Sequence, residues 1–192
     1  MFYFGLISFA LALLALLAAL IITILKLVRK ENQLSPLART LSSLSFGLHS
    51  LSVLGMLALL VSGDFQIAYV ATVTNTAMPL VLKITALWGG QAGSLFFWTW
   101  VVSLCLFIAL HARRNLLDTW GFLVAALTIF FFAATTFFMS NPFNRLWEEA
   151  GGRFAESLFS PSSGSVLALL QDGNGLNPLL RHPAMISHPP LL

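Results

Sequence analysis

Residues 1–25, MFYFGLISFALALLALLAALIITIL, carry no charged side chain, and the basic run KLVRK follows them directly at residues 26–30. Crossing the hydrocarbon core takes about 20 mostly apolar residues in an α-helix, so this stretch reads as a transmembrane span. A secretory signal would place its basic residues ahead of a shorter apolar run. Here they come after it, and the span is expected to be retained with its N-terminus outside. Three more stretches read the same way: Thr40 to Gly63, uncharged but containing His49; Ser94 to Ala112, shorter and rich in Trp and Phe; and Thr119 to Ser140, with the run IFFFAATTFF. The expected fold class is all-α. It is a polytopic integral membrane protein of about four transmembrane helices, one membrane domain over residues 1–192, with spans near 1–25, 40–63, 94–112 and 119–140.

Composition agrees. Of 192 residues 58% are hydrophobic and 9% charged, against about 45–50% and about 25% in soluble domains. The net charge of +3 does not point to nucleic acid, because the ten Lys and Arg are scattered among apolar spans instead of forming a patch. They report topology. Lys26, Arg29, Lys30, Arg39, Arg113 and Arg114 fall in two short connections, whereas residues 64–93 and 141–192 hold only Lys83, Arg145, Arg153 and Arg181. By the positive-inside rule the short connections are cytoplasmic, and the two long loops are extracytoplasmic.

Neither long loop reads as a plain linker. In DFQIAYVATVTNTAMPLVLKITALWGGQAG (residues 64–93), Val70 to Leu87 is apolar enough for a helix lying on the membrane surface. The second loop opens on SNPFNRLWEEAGGRF, where Asn-Pro stops the preceding helix. It closes on DGNGLNPLLRHPAMISHPPLL (172–192), whose Asp-Gly, Asn-Gly and Asn-Pro pairs are turn formers. It resembles an ordered loop more than a disordered one.

Few side chains offer chemistry. His182 and His188 each precede a proline, which pushes the histidine backbone toward an extended form, and His188-Pro189-Pro190 holds an imidazole on a stiff strut suited to a haem or metal ligand. The alternative for both is a loop histidine bonded to backbone or water. His49, inside a span, is either a neutral group bonded to a neighbouring helix or a quinone or cofactor contact. Cys105, the single cysteine, reads as a small buried hydrophobe and permits no intrachain disulfide. Nucleotide P-loop, H-E-x-x-H, paired CxxC and C-x-x-C-H motifs are all missing from the sequence, and Glu148 and Glu149 read as solvated.

Three blocks, YVATVTNTAMPLVLKITALWGGQAGSLFFW, FFMSNPFNRL and DGNGLNPLLRHPAMISHPPLL, resemble the N-terminal part of the CcmF haem lyase family of cytochrome c maturation. The resemblance covers the whole chain in order. It implies that His188 matches the first of two external histidines that ligate haem, and that Asn177, Pro178, Pro189 and Pro190 match the frame presenting it. Trp88, Gly89, Gly90, Gly93 and Ser94 match a WGG-x-x-GS element. Gln91-Ala92 stands where the family often has His-Glu, which puts acid-base models of that element in doubt here. No catalytic side chain is assigned. The resemblance further implies b-type haem in transit as cofactor and a bacterial inner membrane, or its mitochondrial equivalent, as location. Its implied partners are membrane lipids, a membrane haem chaperone and an apocytochrome c that receives haem at C-x-x-C-H.

The family's tryptophan-rich segment, second external histidine and two intramembrane histidines are not among these residues. A chain that stops where the outer loop turns into a further span is expected to be a split or truncated product, inactive alone and requiring a partner with the C-terminal remainder. Two other readings stand beside the lyase: a scaffold that docks the haem chaperone without binding haem, and a haem transporter component.

Overall fold

The computed structural model describes residues 1–112, 117–149, 152–182 and 184. It is mostly helical, and four helices are long and apolar enough to cross a membrane: α1 (Phe2–Val28), α2 (Pro36–Ser62), α5 (Gln91–His111) and α6 (Thr119–Met139). Two short helices, α3 (Ala68–Val73) and α4 (Leu80–Thr85), lie between α2 and α5. Three strands follow α6: β1 (Arg145–Glu148), β2 (Phe154–Ser157) and β3 (Val166–Leu167).

Local chemistry sets the helix ends. In α2 Pro36 takes the first position, where a missing N–H is not needed, so the helix begins four residues before the expected span and takes in Arg39. The guanidinium of Arg39 donates from Nη1 to the Leu110 carbonyl at 2.8 Å, satisfying an acceptor in the last turn of α5 that has no intrahelical donor. Asp118 opens α6, accepting the Gly121 N–H on its carboxylate at 2.7 Å. At the end of α2, Gly63 takes the left-handed conformation (φ 68°) while the Gly63 and Asp64 N–H groups both donate to Leu59.

The chain folds as two compact units. Residues 3–53 and 98–139 form a helical unit whose core brings together Leu16, Leu20, Leu106, Leu110, Phe122 and Ile129. Hydroxyls join α1 to α2 inside it: Ser45 donates to the Ala12 carbonyl and Ser52 to the Gly5 carbonyl, both at 2.7 Å. Leu11, Leu14, Leu51, Val124 and Phe131 are exposed on the outer faces, as lipid-facing positions of spanning helices must be. Cys105 is exposed as well, a correction to the buried position expected of it. On a spanning helix an outward thiol is still in an apolar medium, so burial pattern and hydropathy part company there.

The second unit comprises residues 1–2, 54–97 and the described part of 140–192. Its strands form an antiparallel sheet of order β2-β1-β3, with Trp147 opposite Ala155 on one side and Leu167 on the other. The chain before α3 runs along β1 as well, with Leu146 N–H donating to Gln66 and Ala68 N–H to Asn144, both at 2.9 Å. Strands of four, four and two residues leave too little alternation to be read as a sheet from sequence. The apolar stretch from Val70 to Leu87 is likewise no single surface helix. Thr74 takes an extended conformation, and Pro79, which cannot donate to a preceding turn, becomes the cap of α4. Tyr69, Val70, Ala71 and Val73 of α3 are buried within this chain.

Candidate functional site

Helix α3 is the centre on which the second unit is built. Tyr69 projects from it and donates its hydroxyl to the Ala86 carbonyl at 2.7 Å, with Leu87 O at 3.2 Å, while the hydroxyl oxygen accepts the Gly90 N–H at 3.2 Å. Burial raises the Tyr69 phenol well above its usual value, with the Gly90 N–H pulling the other way. It stays a neutral donor. All its partners lie in or next to Trp88-Gly89-Gly90-Gln91-Ala92-Gly93-Ser94, where a 3₁₀ turn (Ala86–Trp88) leads into α5.

The glycines of that element are glycines because neighbours occupy the space a side chain would take. A Cβ on Gly93 would collide with the Tyr69 hydroxyl and the Leu87 carbonyl, one on Gly90 would stand 3.1 Å from the Tyr69 ring, and one on Gly89 would collide with Leu176. Ser94 closes the turn by donating to the Trp88 carbonyl at 2.8 Å, and the Trp88 ring packs on Phe97 with centroids 5.0 Å apart.

The DGNGLNP segment attaches to the other end of α3. Asn174 N–H donates to Ala71 (2.8 Å) and Gly175 N–H to Thr74 (3.1 Å), and a Cβ on Gly173 would strike the Thr74 carbonyl. Asp172 accepts the Thr76 N–H at 2.8 Å and the Thr76 hydroxyl at 2.9 Å. The Thr76 N–H is the main reason its carboxyl is held below the usual aspartate range; the Thr76 hydroxyl, the Gly173 N–H and Lys83 add to it, while partial desolvation opposes. Asn177 caps the next turn, its side chain accepting the Leu179 N–H at 3.0 Å, and Pro178 holds the first position of that turn (Pro178–Arg181). Arg181 donates back to the Leu176 carbonyl at 3.0 Å. The SNPFN segment completes the assembly: Asn141 accepts the Phe143 N–H at 2.9 Å, and buried Phe143 meets Phe96 edge to face at 5.8 Å.

Of the residues singled out from sequence, Trp88, Gly89, Gly90, Gly93, Ser94, Asn177 and Pro178 are therefore brought into one unit. His188, Pro189 and Pro190 lie outside the described residues, as do Arg113 and Arg114 of the topology count. His182 caps the Pro178–Arg181 turn and accepts the Ala184 N–H on Nδ1 at 3.3 Å. His49 belongs to the helical unit, buried with its ring stacked on Phe9 at 5.1 Å. Among the described residues no three His, Cys, Asp or Glu side chains come together as a metal site. Sequence reasoning missed Tyr69 and the Asp172–Thr76 pair, whose partners stand 17 or more positions away along the chain.

No protein-family model and no solved structure matches the chain. Curated relatives do. It is similar to the cytochrome c-type biogenesis protein NrfE of Haemophilus influenzae, 34% identical over 134 residues, covering 67% of this chain and 18% of that protein. It is similar to CcmF of Escherichia coli K12, 32% identical over 149 residues, 74% of this chain and 20% of the relative. With CcmF of Haemophilus influenzae it shares 28% over 168 residues, 83% of this chain and 22% of the relative. The chain thus spans about a fifth of the length of these relatives. With a mostly helical fold, four apolar helices of spanning length and these likenesses over most of its length, the chain belongs to the CcmF/NrfE family of cytochrome c-type biogenesis proteins and is a multi-pass membrane protein.

Proposed function

We propose that this chain supplies the N-terminal part of a cytochrome c haem lyase, with residues 64–93 and 141–192 on the extracytoplasmic face of a bacterial inner membrane or its mitochondrial equivalent. One observation carries the reading: the three sequence blocks that resemble the family, far apart in the chain, all meet on helix α3 through Tyr69, Asn144, Asn174 and Gly175. Such a joint has a purpose if the segment following Asn177-Pro178 must be held in one place.

In this reading His188 is an axial ligand to haem that arrives on a membrane haem chaperone. Asn177 and Pro178 anchor the segment that precedes it, and Pro189 and Pro190 limit its backbone freedom, so little entropy is lost when the imidazole is engaged. Trp88, Gly89, Gly90, Gly93 and Ser94 keep the underlying turn compact. The covalent step belongs to the substrates: each apocytochrome thiol of C-x-x-C-H adds across a haem vinyl group, sulfur to one carbon and hydrogen to the other, leaving two thioethers. This chain's Cys105 takes no part. His182 is not assigned a ligand role, because it matches no ligand position of the family.

The test is cytochrome c maturation in cells whose own lyase is deleted, complemented by the assembled complex carrying His188→Ala. The expected result is loss of holocytochrome, restored by added imidazole, with the variant chain still present in the membrane. Maturation that persists in His188→Ala without imidazole removes the ligand role and leaves the scaffold reading.

A further inference from the structure

The last turn of α1 and the first turn of α6 enclose a groove of about 350 Å³ lined by Ile24, Leu27, Val28, Trp120 and Leu123. Its walls are apolar. Ile24, Leu27 and Val28 share one helix face, as do Trp120 and Leu123, and Trp120 is 58% exposed. At one end the character changes abruptly. Thr119, next to Trp120, donates its hydroxyl to the Asn32 carbonyl at 2.7 Å, so the connection leaving α1, with Arg29 and Lys30, is tied to the start of α6.

The way α1 ends is informative. Lys30 N–H donates to Leu27 and Glu31 N–H to Lys26, at 2.9 and 3.0 Å, the bond pattern in which the next-to-last residue must be left-handed. That residue is Lys30, at φ 62°, and it is the one residue other than glycine with positive φ among the described residues. At the matching position of α2 the chain uses Gly63. A glycine would fit the backbone of residue 30 better, so backbone geometry does not explain the lysine, whereas a need for charge does. Lys26 pairs with Glu31 at 3.2 Å, while exposed Arg29 and Lys30 form no ion pair among the described residues. Asp118, the acid nearest in sequence to the groove, is committed to the Gly121 N–H.

We propose that this groove binds an anionic phospholipid, one acyl chain against Ile24, Leu27, Val28, Trp120 and Leu123 and the phosphate of its headgroup on Arg29 and Lys30. A zwitterionic lipid would fill the same groove but gain less from the two cations. The inference is independent of any haem chemistry. It would place a lipid at the joint between α1, the basic connection and α6.

The test uses the full chain in detergent micelles, titrated with brominated phosphatidylglycerol or brominated phosphatidylcholine while tryptophan fluorescence is followed. The Trp120 component is identified by its loss in Trp120→Phe. We expect phosphatidylglycerol to quench that component at a mole fraction at least tenfold lower than phosphatidylcholine does. Arg29→Gln and Lys30→Gly should each reduce the preference roughly fivefold. Lys30→Gly is the decisive variant, since it relieves the backbone and should unfold no earlier than the parent chain. Ile24→Phe, which narrows the groove without touching charge, should weaken quenching by both lipids. Equal quenching by the two lipids in the parent chain, or a preference undiminished in Arg29→Gln/Lys30→Gly, overturns the proposal.

Discussion

Tyr69 occupies the space that a side chain on Gly93 would need, because a Cβ at Gly93 would fall well inside van der Waals contact distance of the phenol oxygen. The two residues form a lock between α3 and the start of α5, held by the hydrogen bond from Tyr69 to Ala86. Gly93→Ala must push the phenol off its carbonyl partners, adding overpacking of about 1–3 kcal/mol to the loss of a buried hydrogen bond. Tyr69→Phe keeps the ring and leaves the carbonyls short of a donor, at about 1–3 kcal/mol. Gly90→Ala meets the ring edge at 3.1 Å, a contact that a small shift relieves. Thermal unfolding of the chain in detergent should therefore rank Gly93→Ala as most damaging and Gly90→Ala as least of the two glycines. Unchanged unfolding in Gly93→Ala would refute the lock.

Asp172 should make the attachment of its loop sensitive to acid. Its carboxyl is held low chiefly by the Thr76 N–H, so the folded-state pKa lies below the unfolded value of about 3.9. Stability from this group is thus fully present above about pH 4 and is lost as pH falls through the folded pKa. Limited proteolysis of the loop containing residues 172–177 should accelerate only below about pH 4 in the parent chain. In Asp172→Ala cleavage should be faster at neutral pH and show no added step in that window.

Much of the architecture was legible because hydropathy acts over whole helices. The observed helices Phe2–Val28, Pro36–Ser62, Gln91–His111 and Thr119–Met139 overlie the expected spans, differing by a few residues where Pro36 starts α2 early and Gly90 precedes an earlier start of α5. The outer segments were less legible because their structure rests on distant partners. Nothing local in RLWE or FAES announces strands that exist by pairing with each other and, for RLWE, with β3, and Tyr69 looks like any interfacial tyrosine until Ala86 and Gly90 are placed around it. The glycines of WGGQAGS stand out as a motif, yet their cause is steric and sits on distant residues, Tyr69 of α3 for Gly90 and Gly93 and Leu176 for Gly89. Asn177-Pro178 reads from sequence as a local backbone constraint, and in the structure Asn177 caps the Pro178–Arg181 turn.

The serines of α2 should hold it to α1. Ser45 and Ser52 donate to Ala12 and Gly5, carbonyls already used within α1 or near its start, and in a span the alternative is an unsatisfied hydroxyl in an apolar medium. Each serine to alanine change should cost about 0.6 kcal/mol and not more than about 2. The pair is separated by two helical turns, so Ser45→Ala/Ser52→Ala should cost close to the sum. Reversible unfolding in mixed micelles measures this. A neutral or stabilising double variant would show that packing of the helix faces alone joins α1 and α2.

Cys105 offers a direct check on which face of α5 meets lipid. It is the single cysteine and is exposed on a helix of spanning length, so any thiol labelling reports this one position. A charged reagent is costly to move from water into an apolar medium. A charged, water-soluble maleimide should therefore leave Cys105 unmodified in intact membranes. Modification should require the chain to be unfolded in denaturing detergent, where the thiol meets the water-soluble reagent. Moving the cysteine tests the assignment further: Cys105→Ala combined with Gly164→Cys, an exposed position in the connection between β2 and β3 with open space around it, should react readily under native conditions from one side of the membrane. Rapid labelling of Cys105 itself by the charged reagent would mean that water reaches this face of α5. The exposed apolar residue Ile108, one turn further along, would then line an aqueous or protein-covered surface, and the lipid-facing assignment of that face would have to be abandoned.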